Sequence, residues 1–154
     1  MIWSLVIIPL LVIGWYWFEG RWDRRLFKHE PGRECLNRHP RDAKALLEAR
    51  PDTQVLDVRS DAEYRRGALP GAIHLSLGNA AFRQEAGKLD KARPVLVYCA
   101  GGYRSRKAVS ILHELGFASI HNLHRGFHSW RLAGLPVAHP GDRLIPGCDS
   151  FKSK

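Results

Sequence analysis

A chain of 154 residues has room for one domain of ordinary size and a short remainder. Its net charge of +9 is scattered instead of forming a basic stripe with interleaved aromatic rings, which speaks against nucleic acid as a partner. Three cysteines, Cys35, Cys99 and Cys148, are an odd number with no C-x-x-C pair, so neither a disulfide framework nor a thiolate metal site is expected.

The chain opens with "MIWSLVIIPLLVIGWYWF", residues 1–18, which carries no charged side chain. As a helix rising 1.5 Å per residue it spans roughly 27 Å, close to the hydrocarbon thickness of a bilayer. A buried core helix would show a polar face, and a cleaved signal peptide would show a basic start and an A-x-A site. The run has none of these, and an uncleaved transmembrane anchor is the expectation. Trp3 at one end and Trp15, Tyr16, Trp17 and Trp22 at the other suit the headgroup level, and Pro9 is tolerated in such helices. Arg21, Arg24, Arg25 and Lys28 follow the run, which predicts a single pass with the rest of the chain on the cytoplasmic side. A reducing compartment agrees with the cysteine usage.

Residues 19–40 are charged and interrupted by Pro31, Gly32 and Pro40, and are expected to be a juxtamembrane linker with a short strand near Cys35. Helix is expected over "RDAKALLEA", strand over 54–58, and a short helix behind the capping box of Ser60 and Glu63. Strand over 72–77, helix over 80–89, strand over 94–98, helix over 105–115, strand over 119–123 and helix over 127–133 follow. This alternation predicts an α/β domain over 41–138 with a mostly parallel central sheet and helices on both faces, then a tail over 139–154. Ligands of such sheets sit at the carboxyl ends of the strands. His121, His124 and His128 are read as surface histidines, because Gly126 interrupts any helix that would align them for a metal.

Cys99 stands where the apolar strand "VLVY" ends, followed by Gly101, Gly102, Arg104 and the start of a helix. Glycines let the backbone curl with N–H groups turned inward, and a helix N-terminus adds its positive dipole end. Such a nest favours a thiolate.

The stretches "VLDVRSDAEYRRGALPGAIHLSL", "VLVYCAGGYRSRKAVSILHELGF" and "NLHRGFHSWRLAGLPV" resemble the rhodanese-like domain of the sulfurtransferases over Arg41 to Val137. The resemblance implies that Cys99 takes a sulfane sulfur as a persulfide and passes it to cyanide or a thiol, possession of a cofactor or metal being unnecessary. It implies that Ala100, Gly101, Gly102, Tyr103, Arg104 and Ser105 form the substrate-binding loop, with Arg104 assisting an anionic donor. Asp57, Arg59 and Glu63 match positions that support fold and loop, and Trp130 matches a packing tryptophan. Arg125 and Gly126 stand where the family usually has two glycines. Related phosphatases and arsenate reductases carry C-x5-R, whereas Cys99 and Arg104 give C-x4-R. The resemblance leaves open whether the acceptor is a protein; a membrane-tethered binding or scaffolding module that uses the same pocket without turnover is the alternative reading.

Overall fold

The computed structural model describes residues 2–27 and 32–139. Cys148 and all of the expected tail except His139 lie outside the described residues, as does Lys28.

Five parallel strands form one sheet: β1 (Glu34–Arg38), β2 (Gln54–Asp57), β3 (Ala72–His74), β4 (Val95–Tyr98) and β5 (Ser119–Leu123), in the spatial order β1-β5-β4-β2-β3. The helices are α1 (Ile2–Leu26), α2 (Pro40–Ala49), α3 (Asp61–Arg65), α4 (Phe82–Ala86), α5 (Tyr103–Glu114) and α6 (Gly126–Leu132). Alternation along the central strands divides the core between two faces. Val95, Val97 and Cys99 pack with Phe82, Ala108, Val109 and Leu112 on the α4 and α5 side. Leu96 and Tyr98 pack with Ala43, Tyr64, Phe127 and Trp130 on the other. β4 is buried on both faces, which is why it reads as an unbroken apolar run.

The expected boundaries shift where local chemistry outweighs periodicity. The strand expected to reach residue 77 ends at His74. Leu75 and Leu77 still donate their N–H groups to the carbonyls of Asp57 and Val58, so bonding to that segment continues irregularly past His74 until the turn that the Asn79 N–H closes on the Ser76 carbonyl. The helix expected over 80–89 contracts to α4, because the Asn79 side chain accepts the Ala81 N–H before it, and i→i−3 bonds at Lys88 and Leu89 tighten the chain after it. α5 begins two residues early, at Tyr103, which brings its N-terminus directly to the glycine pair.

The N-terminal helix differs most. α1 continues beyond Phe18 through Leu26, so the segment expected to open a linker is helical and packs against α5. Nothing in "EGRWDRRL" breaks a helix apart from Gly20, and Asp23 ion-pairs with Arg106 of α5 at 2.6 Å. Apolar side chains from Ile7 to Phe18 are exposed. Among the described residues, no helix is long and apolar enough to cross a membrane.

The histidine expectation is corrected in part. β5 lies between β1 and β4, so His121 is enclosed at 1% exposure. Its ring nitrogens meet Ser119 Oγ at 3.0 Å and Arg38 Nε at 3.4 Å. Burial lowers its pKa to about 4. His124 is half-buried beside Asn37, and His128 alone of the three is exposed.

Candidate active site

The β4 carboxyl end delivers Cys99 to the edge of the sheet, where it is 1% exposed. The chain then curls through Ala100, Gly101 and Gly102 into α5. Gly102 adopts φ +99°, a conformation that side-chain-bearing residues avoid, and this turns its N–H onto Cys99 Sγ at 3.0 Å. Ser105 Oγ lies 3.7 Å from the same sulfur and donates to the Gly102 carbonyl at 3.1 Å. A buried sulfur therefore faces a backbone N–H, a hydroxyl and the N-terminus of a 12-residue helix.

A second loop closes the cradle from behind. Phe127 and His128, at the start of α6, donate their N–H groups to the carbonyls of Cys99 and Ala100 at 2.8 and 3.1 Å. Gly126 permits that approach: a β-carbon there would fall 2.2 Å from the Cys99 oxygen and 2.8 Å from that of Ala100, and its φ is +57°. Arg125, exposed at the rim, is also left-handed at φ +54°, which costs a residue with a β-carbon roughly 1–2 kcal/mol. Of the two positions where glycines are usual, Gly126 is therefore the one that space demands.

Arg104 does not point a bare charge at the sulfur. Its guanidinium makes a bidentate pair with Glu63, both N···O distances being 2.6 Å. The Glu63 carboxylate also accepts the Ser60 N–H and hydroxyl at the head of α3, completing the expected capping box. The Arg104 bond holds the Glu63 carboxyl well below the usual carboxylate range, and Glu63 in turn raises Arg104.

Asp57 and Arg59 lie deeper, fully enclosed and paired at 2.6 Å. Arg59 also donates to the Gly67 carbonyl at 2.7 Å and stacks its guanidinium over Phe127 at 4.1 Å. Burial opposes the Arg59 charge, yet the bond to Asp57 outweighs it and holds the group above its ordinary value. Tyr98 donates its hydroxyl to Asp57 at 2.6 Å and accepts the Leu69 N–H at 3.0 Å. Burial, then the Asp57 charge, pushes the phenol well above its ordinary range. The network ties β2, β4 and the segment before β3 together behind the loop.

The structure thus gathers Cys99, Gly102 and Ser105 at one sulfur, places Arg104 and Glu63 beside them, and sets Asp57 and Arg59 beneath as support. Ala100 and Gly101 form the partly exposed outer turn, and the exposed Tyr103 ring leans edge-on against Trp22 of α1 at 5.4 Å. Trp130 packs in the opposite core and donates to the Pro136 carbonyl at 2.7 Å. Tyr98, Arg106 and Asp23 escaped sequence reasoning. A hydroxyl closing an otherwise apolar strand was the available signal for Tyr98; a pairing between residues 83 positions apart leaves none.

Comparison with known proteins agrees with this architecture. The family model for the rhodanese-like domain matches residues 39–133. The chain belongs to the rhodanese-like domain family. It is 31% identical over 102 residues to a sulfurtransferase of Allochromatium vinosum, covering 64% of this chain and 94% of that protein. It is 36% identical over 80 residues to the thiosulfate sulfurtransferase GlpE of Coxiella burnetii, covering 52% of this chain and 73% of that one. A tRNA uridine(34) hydroxylase of Cytophaga hutchinsonii is 36% identical over 104 residues, 64% of this chain but 33% of the longer protein. The crystal structure of a rhodanese-related protein from Thermoplasma volcanium superimposes with a TM-score of 0.60 at 28% identity, covering 68% of this chain and 98% of that one.

Proposed function

We propose that this rhodanese-like protein is a membrane-anchored sulfurtransferase with Cys99 as nucleophile and sulfur carrier. The observation that carries the reading is the Gly102 N–H directed at Cys99 Sγ at 3.0 Å, beside the start of α5. An N–H and a helix dipole so placed stabilise negative charge on sulfur. The relatives named sulfurtransferases support the same chemistry.

With thiosulfate as donor, Cys99 first releases its proton to solvent. The thiolate then attacks the outer sulfur; a new S–S bond forms, the donor S–S bond breaks, and its electron pair leaves with sulfite. The Cys99 persulfide holds its terminal sulfur anion in the nest of Ala100 to Ser105. Cyanide or an acceptor thiolate attacks that sulfur, giving thiocyanate or an acceptor persulfide and restoring the Cys99 thiolate. Arg104, braced by Glu63, lines the approach of an anionic donor.

The uncharged stretch 1–18 and the exposed apolar side chains of α1 support insertion of that helix in a bilayer, and Arg21, Arg24 and Arg25 favour the domain on the cytoplasmic face. A reporter active only outside the cytoplasm, fused after Lys154, is expected to stay silent; strong signal reverses the orientation.

Thiosulfate or polysulfide treatment is expected to add about 32 Da at one site, the mass of one sulfur in a cysteine persulfide. Cys99→Ser is expected to lose the increment while Cys35→Ser and Cys148→Ser keep it. The enclosure of the thiol, 1% exposed, is what favours a second reading, a tethered binding module without turnover. Absence of the increment in the unmodified protein would decide for that reading.

A further inference from the structure

Gly102 needs holding. Glycine visits more backbone states than any other residue, and here it must keep φ +99° for its N–H to stay on the sulfur. Its carbonyl is held by Ser105 Oγ at 3.1 Å, the Arg106 N–H at 3.4 Å and Arg106 Nη1 at 3.4 Å. The Arg106 side chain is 7% exposed, and a buried guanidinium persists only when it is paired. Its carboxylate comes from α1: Asp23 accepts from Arg106 Nε at 2.6 Å and from Nη2 at 3.1 Å. Asn37 at the end of β1 steadies Asp23 at 3.4 Å and is itself held by Asn122 at 2.9 Å. One residue before Asp23, the Trp22 ring meets Tyr103, the first residue of α5.

We propose that the end of α1 is a positioning clamp for the sulfur loop: Asp23, acting through Arg106, fixes Gly102 so that its N–H remains on Cys99 Sγ. The N-terminal helix is then a working part of the site as well as a tether. Asp23 is a positioning residue; it touches neither sulfur nor substrate. The catalytic consequence rests on Cys99 being the sulfur carrier, whereas the geometric claim does not.

Two measurements on the full chain in detergent micelles separate these. Hydrogen exchange read by NMR follows the Gly102 amide directly, and thiosulfate to cyanide kinetics follow turnover. Asp23→Asn keeps the shape and removes the charge. It is expected to speed exchange at Gly102 about tenfold with β4 amides within twofold, and to lower kcat about tenfold with KM within twofold, since misplacement by about 1 Å costs on the order of 100-fold. Asp23→Glu is expected to recover most of both. Arg106→Gln alone and the double variant Asp23→Asn with Arg106→Gln complete the cycle; the double variant removes both charges of the Asp23–Arg106 pair instead of stranding one, and is expected to resemble the worse of the two single variants without multiplication of effects. Unchanged Gly102 exchange in Asp23→Asn, multiplying effects in the double variant, or a rise in KM alone would each overturn the clamp. Faster Gly102 exchange in a protein that transfers no sulfur would leave the clamp standing and sink the sulfurtransferase reading.

Discussion

Gly126→Ala tests how tightly the α6 loop supports the sulfur cradle. The added β-carbon would lie 2.2 Å from the Cys99 oxygen, 2.8 Å from the Ala100 oxygen and 2.9 Å from the Ala100 carbonyl carbon. All three are backbone atoms, so no flexible side chain can yield; an ordinary contact near 3.4 Å requires the two segments to part by roughly 1 Å. Parting them weakens the bonds from the Phe127 and His128 N–H groups at 2.8 and 3.1 Å, each worth about 1 kcal/mol net. Left-handed strain at φ +57° adds roughly 1–2 kcal/mol. The expected loss is about 3–4 kcal/mol in urea unfolding at constant m-value, and a shift of about 1 Å in the loop is expected to lower turnover on the order of 100-fold. A loss below about 1 kcal/mol with turnover within threefold of the unmodified protein would refute the claim that this glycine sets the loop position.

Arg125→Gly, beside it, relieves the left-handed strain at the cost of a freer unfolded chain, and is expected to stabilise by about 0.5–1 kcal/mol in the same assay. Tyr98→Phe leaves Asp57 and the Leu69 N–H short of a buried partner, and a destabilisation of about 2 kcal/mol is expected with Cys99 chemistry retained. His121, held near pKa 4 when folded against an ordinary 6.5, binds fewer protons folded than unfolded between those values. Stability is therefore expected to be full above pH 6.5 and to fall by roughly 3 kcal/mol as the pH drops toward 4, a slope that His121→Gln is expected to flatten.

The alternation of elements was legible because β4 and the inner face of α5 are apolar at the right periods, and because "SDAE" carries its own cap. Edge-strand and short-helix ends were less legible. Leu75 and Leu77 have strand-like side chains and still bond to Asp57 and Val58, yet the regular strand ends at His74 and a turn from Ser76 to Asn79 follows. At the site, Cys99, its glycines and the start of α5 could be placed from local sequence. The partners of Arg104 and Arg106 could not, because the carboxylates that meet them lie 41 and 83 positions away. His121 misled for a related reason: setting aside a metal site on local grounds left the surface as the expectation, whereas strand order encloses the residue.

Those long-range partners alter how the cradle's electrostatics are understood. Arg59, Arg104 and Arg106 surround the loop, and each is matched by a carboxylate: Asp57, Glu63 and Asp23. Their paired charges largely cancel at the sulfur, whereas the Gly102 N–H and the α5 N-terminus remain directed toward it. Such fixed dipoles act strongly over a short range and supply no mobile counter-charge. In the proposed sulfur transfer these dipoles are what would stabilise a singly charged terminal sulfur at contact. The same pairing explains how Arg59 and Arg106 can be buried: each guanidinium gains a carboxylate that offsets its lost hydration, and the Asp23–Arg106 and Glu63–Arg104 pairs tie α1 and α3 to the start of α5.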